Sequence, residues 1–272
     1  MESDYSGQNV ASNFPAVLVI SGFDPTGSAG ILADIRVIHS EKCYPVGVIT
    51  CNTVQNSKGV TAIKAVDAEL VRDQLHSLTD DLNISAIKIG AIASIEIIDV
   101  ISDCLMNLPG VPVVLDPVIK PTSGISFLNR ERVLYLGEKL LRHVTIATPN
   151  LDELLFLSGN AADQIDRSVK YWLESGPGHL LLTGIINEGL IIDRLYSENG
   201  DGTLEIKEIT KPMHAGKNVH GTGCFLSTTL ACALARGNEI FEACEYASNA
   251  TGQMIANSVK FGEGSEFWIN AE

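Results

Sequence analysis

Short apolar runs alternate with amphipathic stretches along most of this chain. Residues 16–21, 46–51, 86–90, 111–116, 144–148 and 179–183 are rich in Val, Ile or Leu, and several close on a small or polar residue. Each predicts a buried strand. Residues 29–40, 68–81, 96–107, 130–142, 151–157 and 163–174 carry helical patterns between them. This alternation predicts an α/β fold, a central, mostly parallel sheet with helices on both faces. Near the end, 190–195 and 202–209 flank Glu198-Asn199-Gly200-Asp201-Gly202, which predicts a C-terminal antiparallel hairpin. Helices over 220–236 and 239–258 complete the pattern. No long linker, low-complexity tract or repeat interrupts it. One domain over 15–272 is therefore expected, behind a flexible N-terminal tail over 1–14.

Composition narrows the function classes. At 272 residues the chain is long enough for one substantial core. Its net charge of −14 repels a polyanionic backbone, which argues against nucleic acid as a partner. A local site can still be positive enough for a small phosphate ligand. Cysteines stand at 43, 51, 104, 224, 232 and 244, with no C-x-x-C pair and no zinc spacing. Apart from Cys224, they read as buried thiols in a reducing compartment. The N-terminus lacks a basic-then-apolar signal pattern, and no apolar run reaches membrane-spanning length. A cytoplasmic protein with no membrane partner is expected.

Candidate chemistry lies where strands end, because ligands of open α/β sheets bind beyond the carboxyl ends of the strands. The most informative run is His220-Gly221-Thr222-Gly223-Cys224, which opens onto apolar residues 225–234 at helical spacing. Its glycines allow a tight turn that brings backbone N–H groups close to an anion. Unpaired amides and the positive end of the helix dipole converge there, as a phosphate requires. The same field is expected to favour the thiolate of Cys224. An anion cradle beside an activatable side chain points to phosphoryl transfer. His220 is either a general base or, more simply, a helix-entry residue that hydrogen-bonds locally.

Other strand ends carry further candidates. Ser21-Gly22-Phe23-Asp24-Pro25-Thr26-Gly27-Ser28-Ala29-Gly30 leads into a helix carrying Asp34. It is not the G-x-G-x-x-G fingerprint, and alone it is also a plain strand-to-helix turn. The amides of Asn52-Thr53-Val54-Gln55-Asn56 suit a heterocycle, or a polar loop with turn roles. Asp116, held by Pro117, suits a hydrated magnesium ion, or ends a turn. Asn150 and Glu153 share a helix face, where Asn150 can cap, Glu153 can close a capping box, and Glu153 can also meet a metal-bound water. The G-x-S-x-G elbow, the G-x-x-x-x-G-K-[ST] loop and the protein-kinase signatures are absent.

Together, residues 21–30 with Asp34, 48–50 through Gln55-Asn56, Lys88-Ile89-Gly90, Asp116-Pro117-Val118, Thr148-Pro149-Asn150-Leu151 with Glu153, and 220–224 match one family in order and approximate spacing. They resemble the hydroxymethylpyrimidine and phosphomethylpyrimidine kinases of thiamin biosynthesis, in the ribokinase-like superfamily. The resemblance runs from Val17 to about Ala256. It implies a ribokinase-like fold, ATP and Mg2+, and transfer of the γ-phosphoryl group to the pyrimidine's hydroxymethyl oxygen. The monophosphate would then be phosphorylated to the diphosphate. Cys224 is implied as the base, or as part of the group that stabilises transferred charge with the amides of Gly221, Thr222 and Gly223. Gly22, Asp34, Gln55 and Val118 are implied pyrimidine contacts. Asp116, Asn150, Glu153 and Thr183 are implied on the ATP and phosphate side. Asp116 and Glu153 would serve magnesium through water. A homodimer is implied as well, and the adenine is expected against the C-terminal hairpin and last helices.

The chain departs from the family pattern in places. Thr183-Gly184-Ile185-Ile186 stands where Lys-Gly-Gly-His is frequent, so a cation near the phosphates is lost, or supplied by Lys120 or Lys217. Phe23, Leu32, Ala91 and Phe225 replace common residues and reshape the pocket. These departures leave pyridoxine or pyridoxal kinase activity open on the same fold. A non-catalytic protein that binds a pyrimidine phosphate is the alternative from another class.

Overall fold

A computed structural model describes residues 14–119, 125, 127, 129–160, 164–214 and 216–269. Lys120 and residues 1–13 of the expected 1–14 tail lie outside the described residues. The first strand, β1 (Ala16–Phe23), shows why the apolar runs form an interior sheet. Its side chains alternate between two cores, Val17 and Val19 on one face and Leu18 and Ile20 on the other, all fully buried. The remaining strands are β2 (Tyr44–Asn56), β3 (Gly59–Ala65), β4 (Ile84–Ile89), β5 (Val113–Leu115), β6 (Ile146–Ala147), β7 (His179–Asn187), β8 (Leu190–Glu198) and β9 (Leu204–Pro212). They make one sheet in the order β3-β2-β1-β4-β5-β6-β7-β8-β9. The six strands from β2 to β7 in that order run parallel, and the pairs β2–β3, β7–β8 and β8–β9 are antiparallel.

Eight helices cover the sheet among the described residues: α1 (Gly30–Ser40), α2 (Ala68–Asp81), α3 (Ile95–Met106), α4 (Arg130–Leu140), α5 (Leu151–Ser158), α6 (Ile165–Glu174), α7 (Thr222–Ala235) and α8 (Ile240–Ala256). Helices α2 to α6 pack their apolar faces into one core, and α1, α7 and α8 into the other. Asp67, Ser94, Asn129 and Asn150 cap α2, α3, α4 and α5 with their side chains. Helices α1 and α7, which begin at strand ends of the sheet, have no side-chain cap. The first-turn amides of α7 are left for another partner.

Two departures from the sequence pattern matter. Residues 52–56, expected as a loop, continue β2, which folds back on β3 as an edge hairpin. The C-terminal hairpin is present as β8–β9, and β7 joins it through the two-residue turn Glu188-Gly189. Both turn residues have positive φ, 47° and 80°, the backbone that a tight hairpin needs. Every strand of the parallel set therefore delivers its carboxyl end to the same edge, where α1 and α7 start.

Candidate active site

That edge encloses a cleft of about 520 Å³. Its first wall is the start of α7. Gly221 has φ +83°, and a Cβ there would lie 1.8 Å from the carbonyl oxygen of Ser28, so only glycine fits. The amide of Phe225 donates to Gly221 O at 2.9 Å, the first helical bond. The amides of Thr222, Gly223 and Cys224 precede that ladder and have no intrahelical acceptor. Across from them, Gly30 has φ +59°, and a Cβ there would meet Gly22 O at 2.3 Å.

A strap holds this junction together. Trp268 is buried and its Nε1 donates to Ser28 O at 2.9 Å. The Arg36 guanidinium stacks on the Trp268 ring at 4.0 Å and donates to Gly27 O at 2.8 Å. The His220 amide donates to Glu266 O at 2.9 Å. Residues near the C-terminus thus clamp the β1–α1 turn against the α7 cradle.

The second wall is acidic. The Asp116 amide extends the ladder beyond β5 by donating to Ile89 O at 2.8 Å. Its carboxylate lies under Gly223, where a Cβ would sit 3.5 Å away, and accepts from Ser227 Oγ at 3.2 Å. Burial pushes this carboxyl up, with the Lys88 ammonium opposing. Asn150 and Glu153 form the capping box that their spacing allows, with reciprocal bonds of 3.0 Å. Burial, reinforced by the charge of Asp116, raises the Glu153 carboxyl to about 8.

The third wall joins β2 to α7. The Gln55 amide and the Asp24 carboxylate both meet Nε2 of His220, at 2.7 and 3.0 Å. Asp24 also takes the amides of Thr26 and Ala29 at 2.8 and 3.1 Å, which fixes the β1–α1 turn. His220 stands at the helix entry, but its partners are remote in sequence rather than local.

Gly22, Gln55, Val118, Asp116, Asn150, Glu153, Thr183, Gly221, Thr222, Gly223 and Cys224 all line this cleft. Asp34 does not. It is fully buried, with both oxygens within 3.1 Å of Lys88 Nζ and Thr228 Oγ1 donating at 2.7 Å. In the interior it pairs with the Lys88 ammonium. Burial pulls the Lys88 ammonium down, and Asp34 outweighs it, so the lysine stays protonated. The signal was present in the chain: a lysine inside the apolar strand Ala86-Ile87-Lys88-Ile89 must find a buried partner.

The expectation for Cys224 also changes. Burial pushes its thiol up to about 12, with Lys88 opposing. A first-turn dipole contributes typically about 0.3–1 kcal/mol, less than one pKa unit, so it does not produce a thiolate here. Of the proposed cations, Lys217 is engaged with Glu266 at 2.8 Å and Ser258 O at 2.9 Å and does not line the cleft. Sequence reasoning missed Lys211, which does line it and pairs with Asp193. Only the charge of Asp193 inside an apolar run hinted at that pair.

The phosphomethylpyrimidine kinase family pattern matches residues 24–268. A hydroxymethylpyrimidine/phosphomethylpyrimidine kinase of Staphylococcus aureus is 31% identical over 259 residues, covering 91% of this chain and 90% of that protein. Among solved structures, an ADP complex of Bacillus subtilis pyridoxal kinase superposes with TM-score 0.82 at 26% identity, covering 94% of this chain and 97% of the other. A phosphomethylpyrimidine kinase from Clostridium difficile superposes with TM-score 0.74 at 29% identity, covering 89% and 99%.

Proposed function

The chain belongs to the phosphomethylpyrimidine kinase family, and from that premise we propose that it phosphorylates 4-amino-5-hydroxymethyl-2-methylpyrimidine, and then the monophosphate, with ATP as donor in thiamin biosynthesis. The observation that carries this reading is the uncapped start of α7 on a cleft shared with Gln55 and with Asp116, Asn150 and Glu153. The amides of Gly221, Thr222, Gly223 and Cys224 would hold the migrating phosphoryl group as charge spreads over its oxygens. Fixed donors of this kind need no reorganisation at the moment of transfer.

Gln55 suits the pyrimidine, since an amide offers one donor and one acceptor edge. His220 and Asp24 orient it from behind. Gly22 admits a flat ring close to the backbone, and Val118 supplies an apolar contact. Cys224, held as a thiol, acts within the anion cradle and not as a standing base. A loose phosphoryl transition state asks for little base catalysis.

Asp116 and Glu153 fit a magnesium ion by chemistry. Both offer hard oxygen donors, and burial, with the charge of Asp116 behind it, raises Glu153. Among the described residues no group of three His, Cys, Asp or Glu side chains could hold a metal alone. Waters and phosphate oxygens would complete the shell of such an ion, with Glu153 reached through water. Bound there, magnesium would neutralise charge on the phosphates. The homodimer and the cytoplasmic location belong to this reading on the family alone; no helix among the described residues is long and apolar enough to cross a membrane.

The test is an ADP-release assay with MgATP and three acceptors: the pyrimidine alcohol, its monophosphate and pyridoxal. Turnover of both pyrimidines well above pyridoxal is expected. Pyridoxal turnover with inert pyrimidines would replace the proposed acceptor, and no turnover of any would remove the catalytic reading.

A further inference from the structure

Lys211 is the one Lys or Arg among the described residues that line the cleft. Asp24, Asp116, Asp152, Glu153 and Asp193 line the same cleft. A polyphosphate entering such a place meets carboxylates on several sides. The cradle of α7 serves its terminal group, and the rest of the chain of phosphates needs a cation. Thr183, in the middle of β7, offers only a hydroxyl.

Lys211 is placed for that task. It is 6% exposed, and its ammonium pairs with the Asp193 carboxylate and donates to Ser248 Oγ at 2.9 Å. Ser248 donates in turn to the same Asp193 carboxylate at 2.6 Å. The other Asp193 oxygen takes the amide of Gly184 at 2.8 Å, which ties the group to the irregular middle of β7. On the α8 side, Gly252 lies beside the lysine stem, where a Cβ would make an ordinary contact 3.6 Å from Lys211 Cδ. An ammonium has three hydrogens, and Asp193 and Ser248 take two. A buried pair of this kind adds little net stability, so stability alone does not account for it.

We infer that Lys211 binds the polyphosphate of the nucleotide, its third N–H donating to a phosphate oxygen while Asp193 and Ser248 fix the ammonium in place. The inference rests on the nucleotide-dependent kinase reading above. Calorimetry tests it with the non-hydrolysable analogue AMP-PCP plus magnesium, and with adenosine, which has the base and ribose but no phosphate. Lys211→Met is expected to weaken AMP-PCP roughly ten- to hundred-fold, as loss of a charged hydrogen bond does, and to leave adenosine unchanged. Lys211→Arg should recover most of the loss. If Lys211→Met alone does not fold, the Asp193→Asn/Lys211→Met double variant, which strands no carboxylate, takes its place.

Equal weakening of both ligands would make Lys211 a structural residue, and no weakening would remove it from the site. Wild-type protein that binds neither ligand would overturn the kinase reading and this inference with it. Tight wild-type binding that Lys211→Met preserves would overturn this inference alone.

Discussion

Lys88→Met separates a structural role for Asp34 from a ligand-binding one. Lys88 and Asp34 are each fully buried, and two contacts of 3.0 and 3.1 Å join them. Removing the lysine leaves a carboxylate in the core with only Thr228 as partner, which costs about 3–5 kcal/mol. In a chain of this size each kcal/mol moves Tm by roughly 2–4 °C, so a fall of roughly 6–20 °C is expected. Adding Asp34→Asn removes the stranded charge and keeps an acceptor for Thr228, so the double variant should regain most of that loss. Thermal unfolding of the two single variants and the double variant, followed by circular dichroism, reads the coupling. The pyrimidine KM of Asp34→Asn is measured beside it. A wild-type Tm with a strongly raised KM for Asp34→Asn would refute the reasoning and return Asp34 to the substrate.

Two further outcomes follow from the perturbed groups of the cleft. Glu153 is raised from its ordinary 4.5 to about 8, so between those values the folded protein holds a proton that the unfolded chain does not. Stability contributed by that proton is lost as pH rises through the folded value. Glu153→Gln keeps the capping box and should therefore gain Tm relative to wild type as pH rises from 5 to 9; parallel Tm curves would show that Glu153 is not raised. Cys224, with its thiol at about 12, should alkylate slowly with iodoacetamide at pH 7 and faster as pH climbs, while Cys224→Ala, which keeps the backbone amide, lowers turnover by roughly a hundredfold through loss of the thiol S–H. Rapid labelling of Cys224 at pH 7 would restore the thiolate.

The strands and helices that frame the cleft were legible because their patterns are local. Val17, Leu18, Val19 and Ile20 announce a strand buried on both faces, and Asn150 with Glu153 announces a helix start. Gly221 announced a tight turn, and its φ and close approach to Ser28 demand glycine. What escaped was everything set by distant partners. Asn52, Thr53, Gln55 and Asn56 look like a loop, yet β3 gives them a ladder at the sheet edge. Lys211 looks like a surface residue of an exposed strand, and only Asp193 and Ser248 make its burial tolerable. Cys224 looked activated because the dipole is visible in sequence, whereas burial is a property of the folded surroundings. Asp34 was assigned through resemblance, and its partner Lys88 is 54 residues away.

The strap through Trp268 bears on how the molecule is made. A ribosome releases the strands and the α7 turn well before it releases Trp268, whose indole holds Ser28 against Gly221. The emerging polypeptide can therefore gather its sheet while the α7 turn is still loose. A nascent or proteolytically clipped chain lacking those last residues is expected to look folded to a spectrometer and yet turn over nothing.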